Sequence, residues 1–192
     1  MNNKIISAVL VIIAAAGAIG IIAQVRKDTR IRTARRSTSV GATSVKNPVI
    51  KPADYPAYDD REFDGATIVK TDAEWKRQLT KAQFHILREE GTETPFVYPE
   101  NHEHGIYYCA ACGLALFRSE NKFDSETGWP SFYQPIFPKN VIERIDKKLG
   151  ETRTEIECAR CGSHLGHVFD DGPKPTGLRY CMNALAMKFR KK

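Results

Sequence analysis

The chain has 192 residues, 42% hydrophobic and 27% charged, enough apolar material for one core with appendages but not for two large domains. Of its net charge of +6, the stretch Arg26 to Arg36 supplies five, through six basic residues and the single acid Asp28. The remainder is near neutral, so no nucleic-acid-binding face is suggested.

In chain order, Ile5 to Ala23 carries no charge and is almost wholly aliphatic. As a helix it would span roughly 28 Å, close to a bilayer's hydrocarbon thickness. Two readings of residues 1–25 stay open. One is an uncleaved single-pass membrane anchor. The other is a signal segment cleaved on export, with Lys4 as its basic start and Ala16-Gly17-Ala18 as the small-residue site. The basic cluster just after the span favours an anchor with the rest of the chain on the cytoplasmic side. Residues 26–65 read as a linker, basic at first and then extended. From Thr33 on this stretch is polar, and Pro48, Pro52 and Pro56 exclude a regular helix.

The folded domain is expected over 66–192. Thr71 to Glu90 has helical periodicity, with Thr71 or Asp72 as N-cap, Glu74 completing a capping box and Gly91 as the stop. A break near Leu79-Thr80 into two short helices is the alternative. From Gly105 onward, short apolar and aromatic runs alternate with turn signals, the pattern of a compact antiparallel β domain.

The five cysteines fall as two tight pairs and a singleton, which is not a disulfide framework. Cys109-Ala-Ala-Cys112-Gly113 and Cys158-Ala-Arg-Cys161-Gly162 repeat one pattern. Each spacing lets two thiolates reach one metal from a single turn, and two such turns supply the four sulfurs of a closed tetrahedral zinc site. Redox disulfides or bound iron are the other readings of these thiols. The 45 residues between Cys112 and Cys158 make this an inserted substructure and not a free-standing finger.

Cys181 is the thiol left over. If Leu178 to Phe189 is one strand, alternation places Arg179, Cys181, Asn183 and Leu185 on one face, where the guanidinium would lower the thiol pKa. An ordinary buried cysteine fits the residue types equally well. His164 and His167 follow the second cysteine pair closely, and Gly166 between them would permit a bulge that turns both rings to one side. Structural histidines are the plainer reading. Trp129, in Gly128-Trp129-Pro130-Ser131-Phe132, offers a fixed ring at a turn, suited to core packing or to walling a small apolar group.

These segments together resemble the type B peptide methionine sulfoxide reductases. The resemblance rests on Arg88-Glu-Glu-Gly-Thr-Glu93, Gly105 to Gly113, Lys122-Phe-Asp-Ser125, Gly128 to Tyr133, Arg153 to Pro173 and Thr176 to Cys181, in order over residues 70 to 190. It implies a mainly β fold with a short helical N-terminal lead, two antiparallel sheets in a tent-like arrangement and a structural zinc site at Cys109, Cys112, Cys158 and Cys161. It also implies reduction of methionine R-sulfoxide in oxidised proteins. Cys181 would be the nucleophile. His164 and His167 would hold and protonate the sulfoxide oxygen, Asn183 would orient that network, Arg179 would favour the thiolate and Trp129 would seat the methyl group. Many members of this family carry a resolving cysteine where this chain has Thr127. A thioredoxin-like or small-thiol reductant is therefore implied, acting on a monomer. Glu126 also departs from the family, which has a small residue there. A non-enzymatic zinc module is the competing reading, and Cys181 with the histidine pair argues against it.

Overall fold

The computed structural model describes residues 58–192. The expected N-terminal anchor or signal segment, with most of the expected linker, lies outside the described residues. No helix among the described residues is long and apolar enough to cross a membrane.

The helical lead takes the broken form. Helix α1, Asp72–Gln78, is capped by Thr71 in a reciprocal box with Glu74. Helix α2, Lys81–Glu89, repeats the device with Thr80 and Gln83. Two capping boxes nine residues apart in sequence dictate two helices, since each box needs an extended residue at its N-cap. The stop differs from expectation by one residue. Glu90 adopts the left-handed conformation, φ 56°, and the N–H groups of Glu90 and Gly91 both reach His85 O.

Among the described residues nine strands follow: β1 Gly105–Cys109, β2 Ala115–Arg118, β3 Lys122–Phe123, β4 Ser131–Phe132, β5 Val141–Asp146, β6 Arg153–Cys158, β7 His164–Phe169, β8 Arg179–Met182 and β9 Met187–Lys191. They form two antiparallel sheets, a three-stranded one in the order β2-β1-β9 and a six-stranded one in the order β3-β4-β8-β7-β6-β5. The mainly β, two-sheet expectation holds. Aromatic side chains from both sheets make the core between them. Phe117 of β2 stacks on Phe132 of β4 at 4.4 Å between ring centres, and Tyr107 of β1 meets Phe132 edge-on at 5.0 Å.

The single strand expected over Leu178 to Phe189 is two strands in different sheets. β8 ends at Met182, a 3₁₀ turn covers Ala184–Ala186, and β9 crosses to the small sheet. Asn183 and Leu185 therefore do not share a strand face with Arg179 and Cys181. The break is made by Glu93, whose carboxylate accepts the N–H groups of Ala184 and Leu185. These bonds replace ladder partners that a continuing strand would use.

Residues read as the end of the linker are part of the folded unit. Asp59 bridges to Leu114 through its backbone, and its buried carboxylate pairs with buried Arg160 at 2.5 Å. Burial alone would raise the Asp59 pKa, but Arg61 and Arg160 outweigh it and hold the carboxyl at about 2. Its contribution to stability is present above the ordinary aspartate range and is lost as pH falls through about 2. Asp59→Ala leaves a buried guanidinium without this carboxylate and should cost about 3 kcal/mol in urea unfolding at neutral pH. A loss below about 0.5 kcal/mol would show that the pair contributes only surface-like energy.

Candidate active site and four-cysteine cluster

The two C-x-x-C-G segments form matching turns. Gly113 N–H returns to Cys109 O at 2.9 Å, and Gly162 N–H to Cys158 O at 2.8 Å. Both glycines have positive φ, 75° and 62°, a conformation a side chain would disfavour. The first turn caps β1 and the second caps β6, so the turns belong to different sheets. They meet with all four sulfurs within 4.8 Å of one another. Cys109 and Cys161 are 3.7 Å apart, Cys112 and Cys158 3.5 Å. Burial, with the neighbouring thiols, pushes Cys112 and Cys158 well above the ordinary thiol range. The neighbouring thiols and Ser163 pull Cys161 the other way, well below that range. A cation at the centre would favour the thiolate at all four positions. The helical lead braces both turns: Gln78 donates to Ala111 O, and Arg88 donates to Cys161 O at 3.0 Å.

The other thiol sits in the middle of the six-stranded sheet. Cys181 on β8 pairs with Ser131 on β4 to one side and with His167 on β7 to the other. Partners directly opposite in antiparallel strands point to the same face. The row continues from His167 to Glu155 on β6. Between Ile156 and Glu157 the β6–β7 register slips, so that β7 carries an extra residue and His164 and His167 come together at 5.5 Å between ring centres. The expected bulge is thus present. Gly166 has the further task of close approach, since a Cβ there would lie 2.1 Å from Cys181 O.

A cavity of about 120 Å³ opens over this row, lined among others by Trp129, His167, Cys181, Asn183, Arg153 and Phe169. His164 and Arg179 are not in that lining. His164 is buried behind, with Nδ1 2.6 Å from Glu155 Oε1 and with Nε2 lacking a hydrogen-bond partner. Arg179 holds Asp171 in a two-pronged pair, both contacts 2.8 Å, and lies over the Phe169 ring. Asn183 is buried, with Nδ2 donating to Leu165 O and Oδ1 accepting Glu93 N–H, both at 3.1 Å. Trp129 Nε1 donates to Glu93 O at 3.2 Å, so Glu93 fixes the indole and the Asn183 turn together.

The electrostatics depart from expectation at Cys181. Burial raises its thiol pKa, and Arg179 with the hydroxyls of Thr127 and Ser131 only partly offsets this. The Arg179 charge is shared with Asp171, which weakens its pull on the thiol. Burial lowers both imidazoles, His164 to about 4, so each is neutral at pH 7. His167 Nε2 lies 2.9 Å from Asp146 Oδ2. The Lys148 N–H, His167 and Arg153 hold that carboxyl well below its usual range. The ionised carboxylate accepts, so Nε2 carries the ring proton. Thr127, Ser125 and Ser131 form a hydroxyl chain, with steps of 2.8 and 2.7 Å, that ends beside the thiol. Sequence reasoning missed Asp146, Glu155, Glu93 and this chain. Alternation along β6 could have paired Glu155 with a partner on β7, and the hydroxyl chain is local, but Glu93 and Asp146 depend on contacts distant in sequence.

The SelR domain family matches residues 79–191. Curated relatives called "Peptide methionine sulfoxide reductase MsrB" are similar over the same region. The one from Agrobacterium fabrum is 57% identical over 122 residues, covering 62% of this chain and 90% of that protein. The one from Thiobacillus denitrificans is 55% identical over 125 residues, covering 64% and 95%. The one from Leptospira interrogans is 52% identical over 124 residues, again 64% and 95%. The chain belongs to the MsrB family. As in the sequence reading, its family-matching part carries both cysteine turns, Trp129 and Cys181.

Because the cysteine turns join two sheets, replacing any one of the four with Ser should destabilise the whole domain by several kcal/mol. A strong chelator should lower the thermal midpoint, and Cys181→Ser should not. A chelator-treated protein with an unchanged midpoint would contradict this.

Proposed function

We propose that this chain reduces methionine R-sulfoxide in oxidised proteins, with Cys181 as nucleophile and zinc held by Cys109, Cys112, Cys158 and Cys161. The observation that carries the reading is Cys181 between Ser131 and His167, on the wall of a cavity shared with Trp129. The family membership supports the same reaction.

The cluster fits the ion. Zinc–sulfur bonds of about 2.3 Å in a tetrahedron separate the sulfurs by about 3.8 Å, close to the 3.5 and 3.7 Å found. Four thiolates close the shell, so bound zinc supplies structure and no open coordination position.

The cavity has room for a few heavy atoms, which suits a methyl sulfoxide end and not a whole residue. The Trp129 face receives the methyl group, and Cys181 Sγ attacks the sulfoxide sulfur. The raised thiol pKa means that Cys181 brings the proton the oxygen needs. Neutral His167, its Nε2–H engaged by Asp146, has its other ring nitrogen available to relay that proton. Thiol and sulfoxide thus give a Cys181 sulfenic acid and methionine, a balanced two-electron exchange between two sulfurs. The hydroxyls of Ser131 and Thr127 are placed to hold the sulfenic oxygen. His164 and Glu155 act one layer back, packing His167 in place. With a hydroxyl at position 127 and four cysteines in the cluster, the sulfenic acid is returned to thiol by two external thiols, which leave as a disulfide with one water. A thioredoxin-like protein or a small thiol fills that role.

Turnover of dabsyl-methionine R-sulfoxide with dithiothreitol should fall at least about a thousandfold in Cys181→Ser. Equal turnover in both proteins would end the thiol mechanism. The pH profile should have an acid limb below the ordinary histidine range, where His167 protonates, and an alkaline limb above the ordinary cysteine value. Arg179→Ala removes a positive charge that lowers the thiol pKa, so iodoacetamide kinetics should show the Cys181 titration moved to still higher pH. A downward move would contradict the assignment of Arg179.

A further inference from the structure

We propose that a second, larger groove beyond Trp129 receives the polypeptide flanking the methionine sulfoxide, and that Asp124 and Glu126 make it select basic flanking residues. This rests on the catalytic reading above and extends it to the choice of substrate.

The catalytic cavity is too small for more than the tip of a side chain, so a protein substrate must continue outside it. Next to it lies a groove of about 590 Å³ that shares the Trp129 ring as a wall. A chain whose sulfoxide touches one face of that region has its neighbouring residues within reach of the other. The groove floor is aromatic and apolar, with Phe96, Tyr107, Pro130 and Phe189 in its lining. Phe96 is 73% exposed and Tyr98 beside it 41%. Exposed aromatic area beside a catalytic cavity is the usual mark of a surface that binds something. Phe96 is also held in place: its N–H donates to Gly128 O at 2.9 Å, and its φ is 62°, a conformation unfavourable for an aromatic residue.

The charge on the groove says which flanking residues it suits. Lys122 and Glu100 in the lining pair with each other. Asp124 and Glu126, also in the lining, are exposed and have no cationic partner among the described residues. Asp124 Oδ1 accepts Glu126 N–H at 2.9 Å, and Glu126 has φ 60°, so the two carboxylates are presented by one ordered turn. The groove thus combines an apolar floor with two unneutralised negative charges. A lysine or arginine satisfies both, laying its methylene stem on the aromatic rings and its charge at the rim.

The test uses the full chain and two blocked pentapeptides with methionine R-sulfoxide at the centre. One carries Lys at all four flanking positions, the other Glu, which covers either direction of binding. KM for the Lys peptide should be about three- to tenfold lower at low ionic strength, the size expected of two exposed charge contacts. The difference should shrink in about 0.5 M salt. The double variant D124N/E126Q, which keeps the turn's acceptor, should bring the two KM values together. Equal KM values in the unaltered chain, or a ratio that D124N/E126Q leaves as it was, would overturn the proposal. N-acetyl-methionine R-sulfoxide, which has no flanking residues, separates the two possible failures. No turnover of it removes the catalytic reading as well; turnover of it with indifferent peptides removes the groove alone.

Discussion

The rest of the domain depends on the meeting of two cysteine turns. One turn ends β1 in the small sheet, the other ends β6 in the large one, and the four sulfurs close the gap between them. The second turn ends β6, the first strand of the β6–β7 hairpin, whose bulge brings His164 and His167 together, so the proposed zinc would fix that hairpin's position. β7 in turn is the strand that holds Cys181 in register. The supporting contacts converge on the same place. Gln78 reaches the first turn, Arg88 the second, and Asp59 both, through its backbone and through Arg160. The geometry of the Cys181–His167 row is therefore tied to the cluster, which lies outside the row itself.

The sulfurs divide by environment. Four are packed against one another, and burial with the neighbouring thiols raises Cys112 and Cys158 well above the ordinary range. The fifth is half-buried beside hydroxyls, a neutral imidazole and a guanidinium already committed to an aspartate. Such a thiol keeps its proton at rest, which protects it from stray oxidants, because the thiolate is the reactive form. In the reaction proposed above the sulfoxide oxygen needs a proton to leave, so a proton held at the site until substrate arrives would serve it better than a resting thiolate. The buried Asp146 and Glu155 behind the histidines then act as anchors for neutral rings.

What could be read from the sequence was mostly local. The C-x-x-C-G repeats are turn chemistry, and the Thr71/Glu74 box is helix-end chemistry; both are complete within five residues. The bulge at Gly166 was legible because two histidines three apart can share a face only if the strand slips. The end of β8 was not legible. Leu185 continues the alternation past Asn183, and the interruption comes from Glu93, ninety-one residues from the Ala184 N–H it accepts. Likewise nothing around Asp59 marks it as folded, because its partner Arg160 is 101 residues away. The sign of the Cys181 shift was misread for a related reason: Arg179 is visible two residues away, whereas burial is a property of the assembled sheet.

The central claim is that one sulfur reacts while four stay on the metal. Native mass spectrometry tests it directly. The purified chain is mixed with one equivalent of methionine R-sulfoxide and dimedone, without reductant. The account predicts one zinc per chain throughout and a single dimedone adduct, on Cys181. Loss of zinc together with an intrachain disulfide between Cys181 and a cluster cysteine would contradict it.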